Sequence, residues 1–148
     1  MLRQVMRRFP TGVVVVMGDG AKGRVGVSIN SFTSVSLEPP LTLFCISRSS
    51  ETWRRLSELR KFSVNVLAAD QAHVARDFSA KGVDRFAGVQ VTAASSGFLR
   101  IAGAVAAFDC VVESVLARGD HHIVLSRVLN AHILRDERAL VFVGGEYE

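Results

Sequence analysis

Few residues in this chain announce a class at once. Its 148 residues include two cysteines, three prolines, one tryptophan and one tyrosine, and no uninterrupted apolar run is longer than Val13–Met17. A membrane-spanning helix needs about 20 consecutive apolar residues, so none is expected, and no secretory hydrophobic segment follows Met1-Leu2-Arg3. The expectation is a soluble, cytoplasmic protein without a membrane partner. Two cysteines are too few for a disulfide-stapled scaffold. Cys45 and Cys110 each lie in an apolar, strand-like run and outside any CxxC pair, which reads them as small hydrophobes in a reducing compartment. Disorder and collagen-like repeats are excluded by a composition of 49% apolar and 22% charged residues. The length suits a single domain over residues 1–148 with its own core.

Charge of one sign is in slight excess. Eighteen Lys and Arg against fourteen Asp and Glu give a formal charge of +4 and a pI of about 9.7, which favours anionic partners. The arginines are dispersed (Arg3, Arg7, Arg8, Arg24, Arg48, Arg54, Arg55, Arg60), and no basic tail or stripe is interleaved with aromatics. Nucleic acid is therefore not expected as a partner.

The hydropathy changes period along the chain. Leu2, Val5, Met6 and Phe9 form one apolar stripe on a short N-terminal helix that Pro10 stops. Val13–Met17 and Val25–Ile29 are β-branched runs joined by Gly18-Asp19-Gly20-Ala21-Lys22-Gly23, which reads as a hairpin. Leu41–Ile46 is a strand after Pro39-Pro40. Ser49 or Ser50 caps a helix with Trp53, Leu56 and Leu59 on one side and Arg54, Arg55 and Glu58 on the other. Phe62–Leu67 follows as a strand, and Asp70 caps a helix through Val74 and Phe78 that ends near Lys81-Gly82. Two long β runs, Ala104–Leu116 and His121–Leu134, are joined by Arg118-Gly119-Asp120, and Leu140–Val143 is a last strand. Roughly seven strands and three short helices, without regular helical crossovers, disfavour a parallel sheet. A mainly β, antiparallel barrel with helices outside fits best. Trp53 and the phenylalanines fall at amphipathic spacing and read as core, while Asn65, inside an apolar strand, needs a partner that is either structural or a ligand.

Familiar catalytic signatures fail on their context. Gly18-x-Gly20-x-x-Gly23 spells a dinucleotide fingerprint directly after a strand, but that motif works only where a helix N-terminus follows. Arg24-Val25-Gly26-Val27-Ser28-Ile29-Asn30 is a strand, so the glycines form a hairpin tip. No phosphate-binding GxxxxGK[ST] loop and no GxSxG elbow is present. His73, His121, His122 and His132 lack metal-ligand spacing, and neighbouring His121 and His122 on a strand face opposite ways, so no metal is expected.

The densest polar stretch is Ser28-Ile29-Asn30-Ser31-Phe32-Thr33-Ser34-Val35-Ser36-Leu37-Glu38-Pro39-Pro40. A solvated strand-to-loop connection would explain its hydroxyls by turn chemistry alone. Yet with Gly26-Val27 before it, the block resembles the most recognisable segment of the flavin reductase-like family, short-chain reductases that supply reduced flavin to two-component monooxygenases. Phe9-Pro10-Thr11-Gly12-Val13 looks like that family's opening strand. Ser49-Ser50-Glu51-Thr52, Phe62–Leu67, Asp84-Arg85-Phe86 and Gly119-Asp120-His121 are similar to further family segments in the same order, so the resemblance covers nearly the whole chain. It implies an antiparallel Greek-key split β-barrel of the FMN-binding type, with a few flanking short helices, that forms a homodimer. It also implies FMN or FAD as the flavin, NADH or NADPH as hydride donor, and a partner monooxygenase reached by diffusion of reduced flavin.

Carried over by position, the resemblance places Ser28, Asn30, Ser31, Thr33 and Ser34 along the isoalloxazine, with Cys45, Ile46 and Ser47 on the adjacent strand end. Ser49, Ser50 and Thr52 would meet the ribityl chain and phosphate, and Phe78, Ser79 and Lys81 would close that side. Asp120 and His121 would sit near the nicotinamide, with His121 as the catalytic residue. Physical chemistry supports the phosphate end independently, because Ser50 and the first amides of its helix form an anion-binding N-terminus to which Lys81 adds a charge. An alternative for Asp120-His121 is a plain turn whose histidine caps a carbonyl, and an alternative for the whole protein is a flavin-binding module that does not turn over. The chain departs from the family at Gly97-Phe98-Leu99, where a proline is replaced, and at Ser28, where threonine is common.

Overall fold

In the computed structural model, which describes all 148 residues, the chain runs α1 (Leu2–Met6), β1 (Thr11–Gly12), β2 (Val14–Gly20), β3 (Gly23–Ile29), β4 (Thr33–Leu37), β5 (Pro40–Ser47), α2 (Glu51–Leu59), β6 (Lys61–Val66), α3 (Ala72–Asp77), β7 (Val91–Ala93), β8 (Leu99–Ile101), β9 (Ala106–Arg118), β10 (His121–Ile133), β11 (Val141–Val143) and β12 (Glu146–Tyr147). Seven strands form one antiparallel sheet in the order β3-β2-β6-β9-β10-β5-β4, and β1-β11-β12 and β7-β8 form two small accessory sheets. The large sheet curls until β3 comes against β5 without joining it in the ladder. This is the antiparallel split barrel that the pattern and the resemblance anticipate.

The valine run of β2 shows how the layers arise. A strand covered on both faces needs no polar alternation. Val14 and Val16 join one core cluster with Ile29, Phe44, Phe62 and Val64, whereas Val13, Val15 and Met17 join a second with Leu67, Val74, Phe78 and Leu99. Helix α2 closes the first cluster through Trp53 and Leu56, each worth about 1.5–3 kcal/mol of burial. Phe44 meets Trp53 and Phe62 edge-on, with centroids 5.9 and 5.5 Å apart. Helix α3 and strand β8 cover the second cluster.

Several local expectations are corrected. The Gly18–Gly23 segment is strand except at its tip, since β2 runs to Gly20 and β3 starts at Gly23, leaving Ala21 and Lys22 as the turn. Twelve strands replace the expected seven. Of the extra ones, β4 was concealed by hydroxyl residues that resemble a loop but suit an exposed edge strand, and the others are two or three residues long. Gln71 rather than Asp70 occupies the N-cap of α3, which ends at Asp77. Asp70 pairs instead with Arg135 at 2.9 Å, and that guanidinium holds its carboxyl below the usual range. The apolar stripe of α1 stays exposed at Leu2, Val5, Met6 and Phe9.

Asn65 resolves as structural. Fully buried on β6, it donates to Ser63 Oγ (3.2 Å) and the Leu99 carbonyl (3.4 Å) and accepts from the Ile101 amide (3.0 Å). Its amide thus imitates a strand neighbour for β8. Asn65→Ala should lower the unfolding free energy by about 2 kcal/mol, because the Ile101 amide loses its acceptor in a dry site, while the Leu99 carbonyl keeps Arg100 Nη1 at 3.2 Å. Chemical denaturation measures the loss, and hydrogen exchange should place the loosened amide at Ile101.

Candidate functional site

The gap between β3 and β5 is held by one side chain. Strand β4 pairs with β5 only as far as Thr33 opposite Leu43, so the next rung toward Cys45 has no strand partner. Ser31 supplies it: its hydroxyl accepts from the Cys45 amide at 2.8 Å and donates to the Cys45 carbonyl at 2.9 Å. The barrel stays split, but no backbone group of Cys45 is left unpaired.

A cleft of about 680 Å³ opens at this split. Strand β3 contributes Val27, Ser28 and Ile29, strand β5 contributes Cys45, Ile46 and Ser47, and the start of α2 contributes Ser49, Ser50, Glu51 and Thr52. The loop after α3 adds Ser79, Lys81, Gly82 and Arg85, and His121 stands at the start of β10.

One end of the cleft is built for an anion. Ser50 accepts from the Trp53 amide at 3.1 Å, and Ser47 and Ser49 share a hydrogen bond of 2.9 Å. The amides of Glu51 and Thr52 lie in the first turn, where no intrahelical acceptor exists. The Glu51 carboxylate is engaged by Arg54 at 2.7 Å. Arg85 is half-buried and donates to the carbonyls of Ala80 (2.9 Å) and Gly26 (2.8 Å) and to Thr52 Oγ1 (3.1 Å). Burial lowers its pKa from the ordinary guanidinium value, yet an arginine stays charged.

The other functional group rests on a tight turn. Arg118 pairs with His121 across a two-residue loop, and Gly119 takes φ +59°, a conformation costly for other residues. Asp120 anchors the tip to the α2 loop by accepting the Arg48 amide at 3.0 Å. Its carboxylate lies 2.7 Å from His121 Nδ1. The hydrogen bond and charge of His121, with a smaller contribution from Arg3, hold the Asp120 carboxyl below its usual range. His122 faces the other way, its ring centroid 6.5 Å from that of Trp53.

The residues singled out by sequence divide among three places. Ser28, Cys45, Ile46, Ser47, Ser49, Ser50, Thr52, Ser79, Lys81 and His121 share the cleft just described. Asn30, Ser31 and Thr33 line an adjoining cleft, while Ser34 pairs with Thr42 on exposed β4. Asp120 is solvent-exposed beside His121. Phe78 is fully buried under the cleft against Phe86 and reaches the site through its carbonyl, which accepts from the Ser28 amide at 3.1 Å. The close approach explains Gly26, since a Cβ there would lie 2.8 Å from the Phe78 ring. Arg85 was not among the expected site residues. Its only signal was its place in Asp84-Arg85-Phe86, a segment that resembles the family without a stated role.

Residues 6–148 match the family model described as flavin reductase like domain. The chain belongs to this flavin reductase family. Among its relatives, a flavin reductase of Pseudomonas putida is 39% identical over 98% of this chain and 86% of its own length. The reductase subunit of a flavin-dependent monooxygenase of Rhodococcus jostii is 38% identical over 98% of this chain and 74% of its own. A solved NADH:FAD oxidoreductase of Streptomyces globisporus, in complex with NAD and FAD fragments, superposes with a TM-score of 0.93 at 40% identity, covering 99% of this chain and 89% of that one. Of the family segments read in the sequence, Gly26–Pro40, Ser49–Thr52, Asp84–Phe86 and Gly119–His121 each send residues into the cleft at the split, whereas Phe62–Leu67 does not.

Two thiols report on the cleft. Cys110 is buried, and burial pushes its pKa up to about 12, so it stays protonated and unreactive near pH 8. Cys45 is half-buried and lines the cleft. A disulfide reagent at pH 8 should modify one thiol per native chain, at Cys45, and both after denaturation. Saturating FMN or FAD should slow the Cys45 reaction at least several-fold, read by absorbance and peptide mapping.

Proposed function

We propose that this chain is an NAD(P)H:flavin oxidoreductase whose split-barrel cleft holds FMN or FAD and passes the reduced flavin to a partner monooxygenase. The observation that carries the reading is the pairing, in one cleft, of a cationic helix start with a histidine at the start of β10, the ladder partner of Ser47. The donor set suits a phosphorylated flavin: Ser50, the Glu51 and Thr52 amides, Lys81 and Arg85 would hold the phosphate. Ser28, Cys45, Ile46 and Ser47 would border the ring system, with Asn30, Ser31, Thr33 and Ser34 along the same segment. Phe78 supports Ser28 from below through its carbonyl, and Ser49, Thr52 and Ser79 line the route between ring and phosphate.

When bound, the flavin supplies the redox chemistry by accepting a hydride from the nicotinamide. The chain's contribution is position. Rigid strand ends hold the ring edge, and His121 stands where the donor approaches. Ionised Asp120 accepts from His121 Nδ1, fixing the ring plane and leaving Nε2 toward the cleft for a hydrogen bond or a stacking contact. Bringing two reactants into contact geometry is itself a large rate effect.

The working form is a homodimer in the cytoplasm. A 148-residue barrel leaves its clefts open to one side, and a second copy would supply the missing wall. Exposed Val115, Leu116, Leu129, Ile133 and Leu134 on β9, on β10 and just beyond it support such a contact. The unpaired state of Cys45 and Cys110 suits a reducing compartment.

Mixing the protein with free flavin and NADH or NADPH under anaerobic conditions should bleach the flavin absorbance. Flavin binding without bleaching, for every flavin and donor pair, would leave only a binding module. His121→Ala should raise KM for the nicotinamide about tenfold, equivalent to about 1.4 kcal/mol, with little change in flavin Kd. Equal losses for both ligands in a folded variant would count against that role.

A further inference from the structure

The cleft at the split is lined by cations with one exception. Lys81 and Arg85 bring fixed positive charge to it, and Glu51 brings the only carboxylate in the lining. Glu51 is the first residue of α2, so its amide is one of the free donors at the helix start while its side chain carries a negative charge to the same place. A helix start accommodates an acid well, because the dipole there favours negative charge. A flavin phosphate needs the same amides and the same dipole. Carboxylate and phosphate are therefore rivals for one positive pole.

The carboxylate has a partner on its own helix. Arg54, one turn along α2 and outside the cleft lining, donates to Glu51 Oε2 from Nη2 at 2.7 Å. The side chains are 72% and 80% exposed, so water competes for both and the pair is held weakly. No ion pair joins Glu51 to Lys81 or Arg85. Arg85 is fixed instead on Ala80, Gly26 and Thr52. The charge of the ligand then decides how strongly Glu51 is felt. A phosphate monoester such as that of FMN carries about −1.5 to −2 near pH 7, each phosphate of the FAD pyrophosphate bears a single charge, and riboflavin has no phosphate.

We propose that Glu51 is a specificity residue whose carboxylate opposes the flavin phosphate, weighting the cleft against the monoester of FMN and hastening the departure of reduced flavin. Arg54 is a positioning residue that acts through Glu51, drawing the carboxylate along the helix and away from the phosphate. The inference rests on the reductase reading given above and on its placement of the phosphate at the start of α2.

The test titrates the full-length protein, E51Q, R54Q and E51Q/R54Q with FMN, FAD and riboflavin by flavin fluorescence, with thermal melts to confirm folding. E51Q should lower the Kd for FMN about fivefold, that for FAD less, and that for riboflavin not at all. Stopped-flow release of FMN should slow in proportion. R54Q should raise the Kd for FMN about threefold in the wild-type background and much less beside E51Q. At about 1 M salt wild type and E51Q should converge. Unchanged or weaker FMN binding by E51Q would overturn the proposal, as would an equal shift for riboflavin, which would mark a change in α2 itself. A gain for FAD as large as that for FMN would overturn the discrimination by charge. An R54Q loss undiminished beside E51Q would overturn the positioning role of Arg54. Binding needs no turnover, so the two readings fail separately: wild type that holds riboflavin as tightly as FMN removes the phosphate from α2 and this proposal with it, whereas wild type that prefers FMN without a gain in E51Q overturns this proposal alone.

Discussion

The Ser31 hydroxyl is the small constraint on which the ligand-binding end depends. A seven-stranded antiparallel sheet that curls this far has two ways to end: continue the ladder and close, or leave a row of unpaired amides. Ser31 offers a third, satisfying the Cys45 amide and carbonyl with one side-chain oxygen. The strands beyond it are then free to diverge. Both clefts border that divergence, one on each side of the segment Ser28–Ser31. A backbone rung there would have drawn β3 along β5 and filled the space.

Charge is organised on the same plan. The net +4 is modest and the arginines are scattered along the chain, but the fold gathers Lys81 and Arg85 in the cleft at the split and Arg3 and Arg7 in its neighbour. Other arginines are neutralised locally, as Arg54 is by Glu51 and Arg135 by Asp70. Arg100 is matched to buried Asp109 at 2.7 Å. Which cations remain unmatched matters more here than how many there are.

Much of this was legible in the chain because the signals were local. The β-branched valines after Gly23 favour a strand over a helix, so the glycine motif could be read as a hairpin, and Ser50 could be read as a cap because its helix follows at once. The apolar stripe of α1 was equally visible, but periodicity reports a face without saying what covers it, and here the chain itself leaves it open. Edge strand β4 escaped notice because serine and threonine serve turns and strands alike. Arg85 escaped for another reason: its acceptors at Gly26 and Thr52 lie 59 and 33 residues away, and no local pattern encodes such a meeting. The buried pair Thr42 and Ser126, joined at 3.1 Å across 84 residues, is a similar case.

Arg85 has one further property, visible in the identity of its partners. All three are neutral oxygens, two carbonyls and a hydroxyl. Such partners fix the guanidinium in place and repay part of its lost hydration without cancelling its charge. The cleft therefore holds a standing positive potential, which low-dielectric walls focus outward. An anionic ligand is drawn in at a rate that falls with ionic strength, and it departs against the same attraction. For a protein whose product must leave to be useful, salt and phosphate charge become controls on residence time.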